Sequence, residues 1–183
     1  LTAAVANSDI TAKGNTDTKT LTINAANNTG TVNLLNGGDV AGEVAVTNAV
    51  GTIDLANDYK GTGEVKVTTG TASVTVDFGD STTATQIVDA SSVADGNKLT
   101  LNGKGDVTLT SIEGDIDASG LTTGKLTADV TNTKDVTLTA AVANSDITAK
   151  GNTDTKTLTI NAANNTGTVN LLNGGDVAGE VAV

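Results

Sequence analysis

The sequence predicts an all-β protein wound as a parallel β-helix (β-solenoid), and three observations carry that prediction. Short segments of apolar–polar–apolar alternation, rich in Val, Ile, Leu and Thr, recur along the whole chain, the signature of half-buried strands. The stretches between them are built from Gly, Asn and Asp, the residue types that tolerate the positive φ of tight turns. Finally, the chain repeats itself on several length scales, and self-similarity of this kind marks stacked architectures.

Taken in order, the strand segments begin at Leu21, Val32, Val44, Ile53, Val65, Val74, Ile87, Leu99, Val107, Ile116, Leu126, Val136 and Ile147. They number thirteen and follow one another at intervals of roughly 8 to 13 residues. Asn36-Gly37, Gly79-Asp80, Asn102-Gly103 and Gly114-Asp115 supply turns between them. No window of helical length carries a 3.6-residue period, and Thr, Val, Asn and Gly are poor helix formers, so no regular helix longer than about two turns is expected.

Leu1–Val46 recurs without a change as Leu138–Val183. Shared fold constraints alone would let solvent-facing positions drift, so identity over so long a stretch points to a tandem array. Residues 1–137 then form one unit and residues 138–183 the start of the next, in one continuous solenoid. A finer rhythm sets the expected turn. Asp106-Val107-Thr108-Leu109-Thr110 returns as Asp135-Val136-Thr137-Leu138-Thr139, and Asp89-Ala90-Ser91 returns as Asp117-Ala118-Ser119. We read these echoes as three short strands per turn of about 30 residues, stacked at the usual strand spacing. Thirteen strands do not divide by three, which calls for an extra corner or for units rotated about the axis. A two-strand turn of about 21 residues fits the spacings tolerably but also fails to divide thirteen. Immunoglobulin-like sandwiches are the runner-up, and the buried aromatic and long hairpins they use are missing.

Composition narrows the function. The chain has no His, Cys, Met, Trp, Pro or Arg, and Tyr59 and Phe78 are its only aromatics. Val, Leu, Ile and Ala must therefore fill the interior, which suits a thin, regular core. The formal charge of −11, from 21 acidic residues against 10 lysines, disfavours nucleic acid and anionic membranes as partners. No apolar run approaches the length of a membrane-spanning helix. An acidic, Cys-free, Thr-, Asn- and Gly-rich chain is expected outside the cell, at the surface of a bacterium. Leu1 stands where Met would begin a complete chain, so both ends are expected to be internal to a longer array. Val183 should then be followed by Thr-Asn-Ala-Val-Gly-Thr, as Val46 is.

Two segments carry a resemblance. Ile116-Asp117-Ala118-Ser119-Gly120-Leu121-Thr122-Thr123-Gly124-Lys125-Leu126-Thr127, and the looser segment from Ile87 to Thr100, resemble proteobacterial surface-layer proteins and the large adhesins exported by type I secretion. That resemblance implies β-solenoid repeats assembling into sheets or filaments outside the cell, often with calcium. The chain departs from it by lacking the Gly-Gly-x-Gly-x-Asp nonapeptide of calcium-binding rolls; Asn36-Gly37-Gly38-Asp39 is a fragment only.

Candidate chemistry is sparse. Nucleophilic triads and thiolate or imidazole zinc sites need Cys or His, and neither is present. Paired carboxylates can act as acid and base: Asp115 and Asp117 lie two apart, on one face of a strand, and Asp77 and Asp80 bracket a turn. The lack of Arg speaks against a polysaccharide lyase, so no enzyme is expected. Calcium takes six to eight oxygens from carboxylates, carbonyls and water, and Asp58, Asp77, Asp80, Asp115 and Asp117 are its candidate ligands. The competing reading makes them turn residues that cap backbone groups. Thr-x-Thr pairs such as Thr20/Thr22, Thr108/Thr110 and Thr137/Thr139 fit an ice-binding face locally, but Asn33, Asp54 and Lys66 break the pattern. Tyr59 is read as covering the end of a turn rather than stacking on a sugar, and Phe78 as a core plug. The expected role is a structural repeat of a filament, surface layer or matrix fibre whose partners are copies of itself. The alternative is the rod-like stalk of a large secreted adhesin.

Overall fold

In the computed structural model the described residues are 2, 10–13, 19–26, 28–35, 42–55, 59, 62–82, 85–130, 134–140, 144–149, 156–163, 165–171 and 180–183. They form fifteen strands and no helix. The first seven are β1 (Ile10–Lys13), β2 (Leu21–Asn24), β3 (Thr31–Leu35), β4 (Val44–Leu55), β5 (Val65–Asp77), β6 (Gln86–Ala90) and β7 (Lys98–Gly103). There follow β8 (Val107–Ile112), β9 (Asp115–Leu121), β10 (Lys125–Val130), β11 (Val136–Thr139), β12 (Asn144–Ala149), β13 (Thr157–Asn161), β14 (Val169–Leu171) and β15 (Glu180–Ala182). All thirteen segments anticipated from the alternation lie within these strands.

Every pairing between strands is parallel, and the pairs sort into two ladders. One runs β1-β3-β4-β5-β7-β9-β11-β13-β15 and the other β2-β4-β5-β6-β8-β10-β12-β14. Strands β4 and β5 belong to both because each bends at a corner: Val44 pairs with Val65 in the second ladder, and Ile53 with Val76 in the first. The bend in β4 is made by Asn48 (φ 54°) and Gly51 (φ 76°), with register shifts on either side of Ala49. A Cβ on Gly51 would stand 2.6 Å from the Gly30 carbonyl oxygen, so the corner needs glycine for space as well as for φ. The chain thus crosses alternately from one ladder to the other, and both contribute to one buried apolar cluster. The protein is a two-sided parallel β-solenoid.

The solenoid is as expected, but its turn is smaller than the three-strand turn read from the sequence. Val44, Val65, Gln86 and Val107 pair in succession, a turn of roughly 21 residues. The shortest turn joins Leu99 to Ile116, and the longest joins Val74 to Leu99. The echoes that suggested a larger turn join β6 to β9 and β8 to β11, which are three passes, or one and a half turns, apart. They mark opposite ladders, and not successive turns of one. The two ladders face each other across one shared apolar interior. Stacked sheets stand about 10 Å apart, a gap that Val, Leu, Ile and Ala close from both sides.

Alternation decides which residues enter the core. In β8 Val107, Leu109 and Ile112 are buried, while Thr108 is exposed. Strand β6 departs from the expected phase: Gln86, Val88 and Ala90 face inward, and Ile87 faces outward, half-buried. Gln86 thereby occupies the column of Val65 and Val107, and its side-chain amide donates to the Ser81 carbonyl (3.2 Å). Phe78 is fully buried, the plug that was expected. Tyr59 is 3% exposed and part of the same cluster, so it offers no ring to a sugar.

Candidate functional site

The fold exposes two outward faces, and the candidate functional surface is built from their residues. On the first ladder four lines of one pattern stack in register: Thr31-Val32-Asn33, Thr52-Ile53-Asp54, Thr75-Val76-Asp77 and Thr100-Leu101-Asn102. The middle residue of each points into the core, and its neighbours form a Thr column and an Asn/Asp column, all half-buried. Sequence reasoning missed these columns. It took Asn33 and Asp54 as interruptions of a threonine array, whereas they belong to a column of their own. Lys66 lies on the other ladder, between Ala45 and Ile87. The signal was present: Thr–apolar–Asx starts at Thr31 and returns at Thr52, Thr75 and Thr100, one true turn apart each time.

The column has an electrostatic cost. Asp54 sits between Asn33 and Asp77, and partial burial, reinforced by the neighbouring Asp77 charge, raises its pKa above the ordinary carboxylate range. Like charges directly opposite one another in a sheet are destabilising. A raised folded-state pKa means that the folded protein favours the protonated form. The stabilisation is therefore complete at low pH and is lost as pH rises through that pKa. Asp54→Asn is expected to raise the melting temperature at pH 7, by an amount equivalent to at most about 1 kcal/mol once solvent screening is counted, with the advantage shrinking at acid pH. Thermal melts of the two proteins at pH 3 and pH 7 check this; an unchanged or lower melting temperature at pH 7 would refute it.

The remaining aspartates mostly tie one rung to the next. Asp106 Oδ1 accepts from Lys125 N (2.8 Å), Asp115 Oδ1 from Thr137 N (2.9 Å), Asp135 Oδ1 from Thr157 N (2.8 Å) and Asp146 Oδ1 from Thr168 N (3.2 Å). Each stands at or near the start of a strand and holds a backbone donor of the following rung on its own ladder. Lysines complete the arrangement, Lys98 with Asp117 (3.3 Å) and Lys125 with Asp146 across adjacent rungs. The Lys125 hydrogen bond and the Thr168 N–H hold the Asp146 pKa below its ordinary value. These pairs lie at the surface, where water and salt screen them, so they align rungs more than they stabilise the fold.

Of the five candidate calcium ligands, Asp58 lies outside the described residues. Asp115 and Asp117 do share the outward face of β9. Asp115 is one of the rung ties. Asp117 accepts from Ser119 N (3.1 Å) and Ser119 Oγ (2.6 Å) and faces Lys98, contacts that lower its pKa, with the Ser119 hydroxyl the largest cause. Asp77 Oδ1 accepts from Gly79 N (2.8 Å), and Asp80 pairs with Lys104 (2.7 Å) across the same corner. Among the described residues no three His, Cys, Asp or Glu side chains gather closely enough to hold a metal ion. Nor do the described residues include a helix long and apolar enough to cross a membrane.

Fold and surface together define a class, the two-sided parallel β-solenoid, here with a polar Thr and Asn/Asp grid on its first ladder. Set against family models, curated proteins and solved structures, the chain finds no match.

Proposed function

We propose that the chain is a structural repeat segment of an extracellular bacterial filament, surface layer or matrix fibre, acting as a non-enzymatic rod whose partners are copies of itself. One observation carries the reading: two identical stretches adopt the same strand register. Ile10 pairs with Val32 as Ile147 pairs with Val169, and Leu21 pairs with Val44 as Leu158 pairs with Val181. A sequence that repeats with its pairing intact extends the ladder by whole units, as rod-forming repeats do. The location outside the cell, and calcium as a stabilising ion, rest on the composition and the resemblance described above.

Electron microscopy of the native assembly, in calcium and again in chelator, tests the proposal. Long rods or sheets support it, and isolated stalks ending in a distinct head would replace it with the adhesin reading. Dispersed particles in every condition would end it. Assemblies unchanged by the chelator would remove calcium from the account.

A further inference from the structure

The two identical stretches lie on opposite ladders. Strands β1 and β3, from the first copy, belong to the ladder that continues through β7, β9 and β11. Their equivalents β12 and β14 belong to the other, which continues through β6, β8 and β10. Likewise β2 pairs in the second ladder, and its equivalent β13 in the first. The cause is an odd count. From β1 to β11 the chain makes thirteen passes, because β4 and β5 each cross both ladders. With two passes per turn, one repeat unit is six and a half turns. The number that divided neither turn size evenly is thus a structural device.

We infer that a tandem array of this unit has a twofold screw along its axis, each unit turned to the opposite face from the one before. At about 4.8 Å per rung the unit rises about 31 Å, and the same face recurs every ~62 Å. The Thr31–Asn33 to Thr100–Asn102 grid then appears alternately on both sides of the rod, as does every other surface patch. Nothing in the local pairing resists the exchange, since each copy carries its own partner strand with it in unchanged register. An even number of passes would confine every copy to one face and make a one-sided rod. Where the rod is an assembly element, as proposed above, the odd number makes it two-sided. A lateral contact formed by one copy of the array is offered again on the opposite face, so association between arrays extends as a sheet and does not close as a pair.

The test uses the 183-residue chain, which has no native Cys to compete with labels. Spin labels go on the exposed Thr22 and Thr159, which are equivalent positions in the two copies, as Thr22→Cys and Thr159→Cys. A control pair, Thr22→Cys with Thr127→Cys, stays on the second ladder five rungs apart. The control distance is expected to be about 24 Å. The Thr22–Thr159 distance is expected to be about 40 Å, since about 31 Å along the axis combines with the roughly 10 Å sheet gap and the reach of both labels. A Thr22–Thr159 distance of about 31 Å would place both copies on one face and overturn the inference. The second arm puts gold on Thr22→Cys in every unit of a four-unit array: marks alternating between the two edges of the rod support the screw, and marks along one edge refute it. Both readouts are independent of where the protein resides and of what it assembles into, so the screw and the proposed function fail separately.

Discussion

Phe78→Ala is expected to destabilise the solenoid by about 3–5 kcal/mol, the range for truncating a fully buried aromatic side chain. Phe78 is the largest fully buried side chain of the core and stands where the chain turns from the first ladder toward the second. Its backbone N–H donates to the Asn102 carbonyl (3.0 Å), so the ring and the corner ladder are fixed together. Apart from Tyr59 the chain has no other aromatic ring to take up the space. Phe78→Leu should cost distinctly less, because it retains most of the volume. In a stacked fold each turn contacts only its neighbours, so amide exchange should accelerate most around residues 74–82 and 98–105. Denaturant melts and exchange of both variants check this. A loss in Phe78→Ala no greater than in Phe78→Leu would show that Phe78 does not act as a plug.

Gly103→Ala is the second large effect, expected to exceed about 2 kcal/mol from backbone strain and steric displacement together. Gly103 has φ +115°, and a Cβ there would stand 2.9 Å from the Gly79 oxygen and 3.0 Å from the Gly79 nitrogen. Those atoms are backbone and have no room to give. Lys104 N donates to the Gly79 carbonyl (2.9 Å), and Thr122 N donates to the Gly103 carbonyl (3.0 Å). The hydrogen-bond ladder therefore continues through three successive corners, and shifting one disturbs the others. Gly96→Ala separates the two causes. Gly96 also has positive φ (+77°), but apart from its chain neighbours no heavy atom lies within 4 Å of where a Cβ would stand, so strain alone should cost about 1–2 kcal/mol. Equal melting of the two variants would show that the close approach at Gly103 is without consequence.

Much of the molecule was legible in the residues. Alternation alone located the thirteen passes from β2 to β12, because a strand with one face in the core must repeat every second residue. Glycine and asparagine marked the corners, since φ > 0 lets the chain reverse within a few residues. The poverty in aromatics predicted a thin core and a plugging role for Phe78. The roles of the aspartates were only half legible. That Asp115 would share a face with Asp117 follows from strand periodicity. That it would hold Thr137 N of the next rung depends on a neighbour one full turn away.

What the sequence determined by itself is the solenoid, its strand positions and its long tandem repeat, all of which follow from local preference and self-similarity. Tertiary structure decided the number of sides, the rung-to-rung partners and the exchange of faces. The echo of Asp106–Thr110 in Asp135–Thr139 is as regular in the sequence as the return of Thr31 at Thr52, and strand alternation is satisfied by either period. Only the strand pairing chooses between them: Val44, Val65, Gln86 and Val107 stack roughly 21 residues apart, and the slab about 10 Å thick that results is filled by Val, Leu, Ile and Ala. Once two sides are set, thirteen passes become six and a half turns, and identical residues such as Thr22 and Thr159 come to lie on opposite faces of one rod.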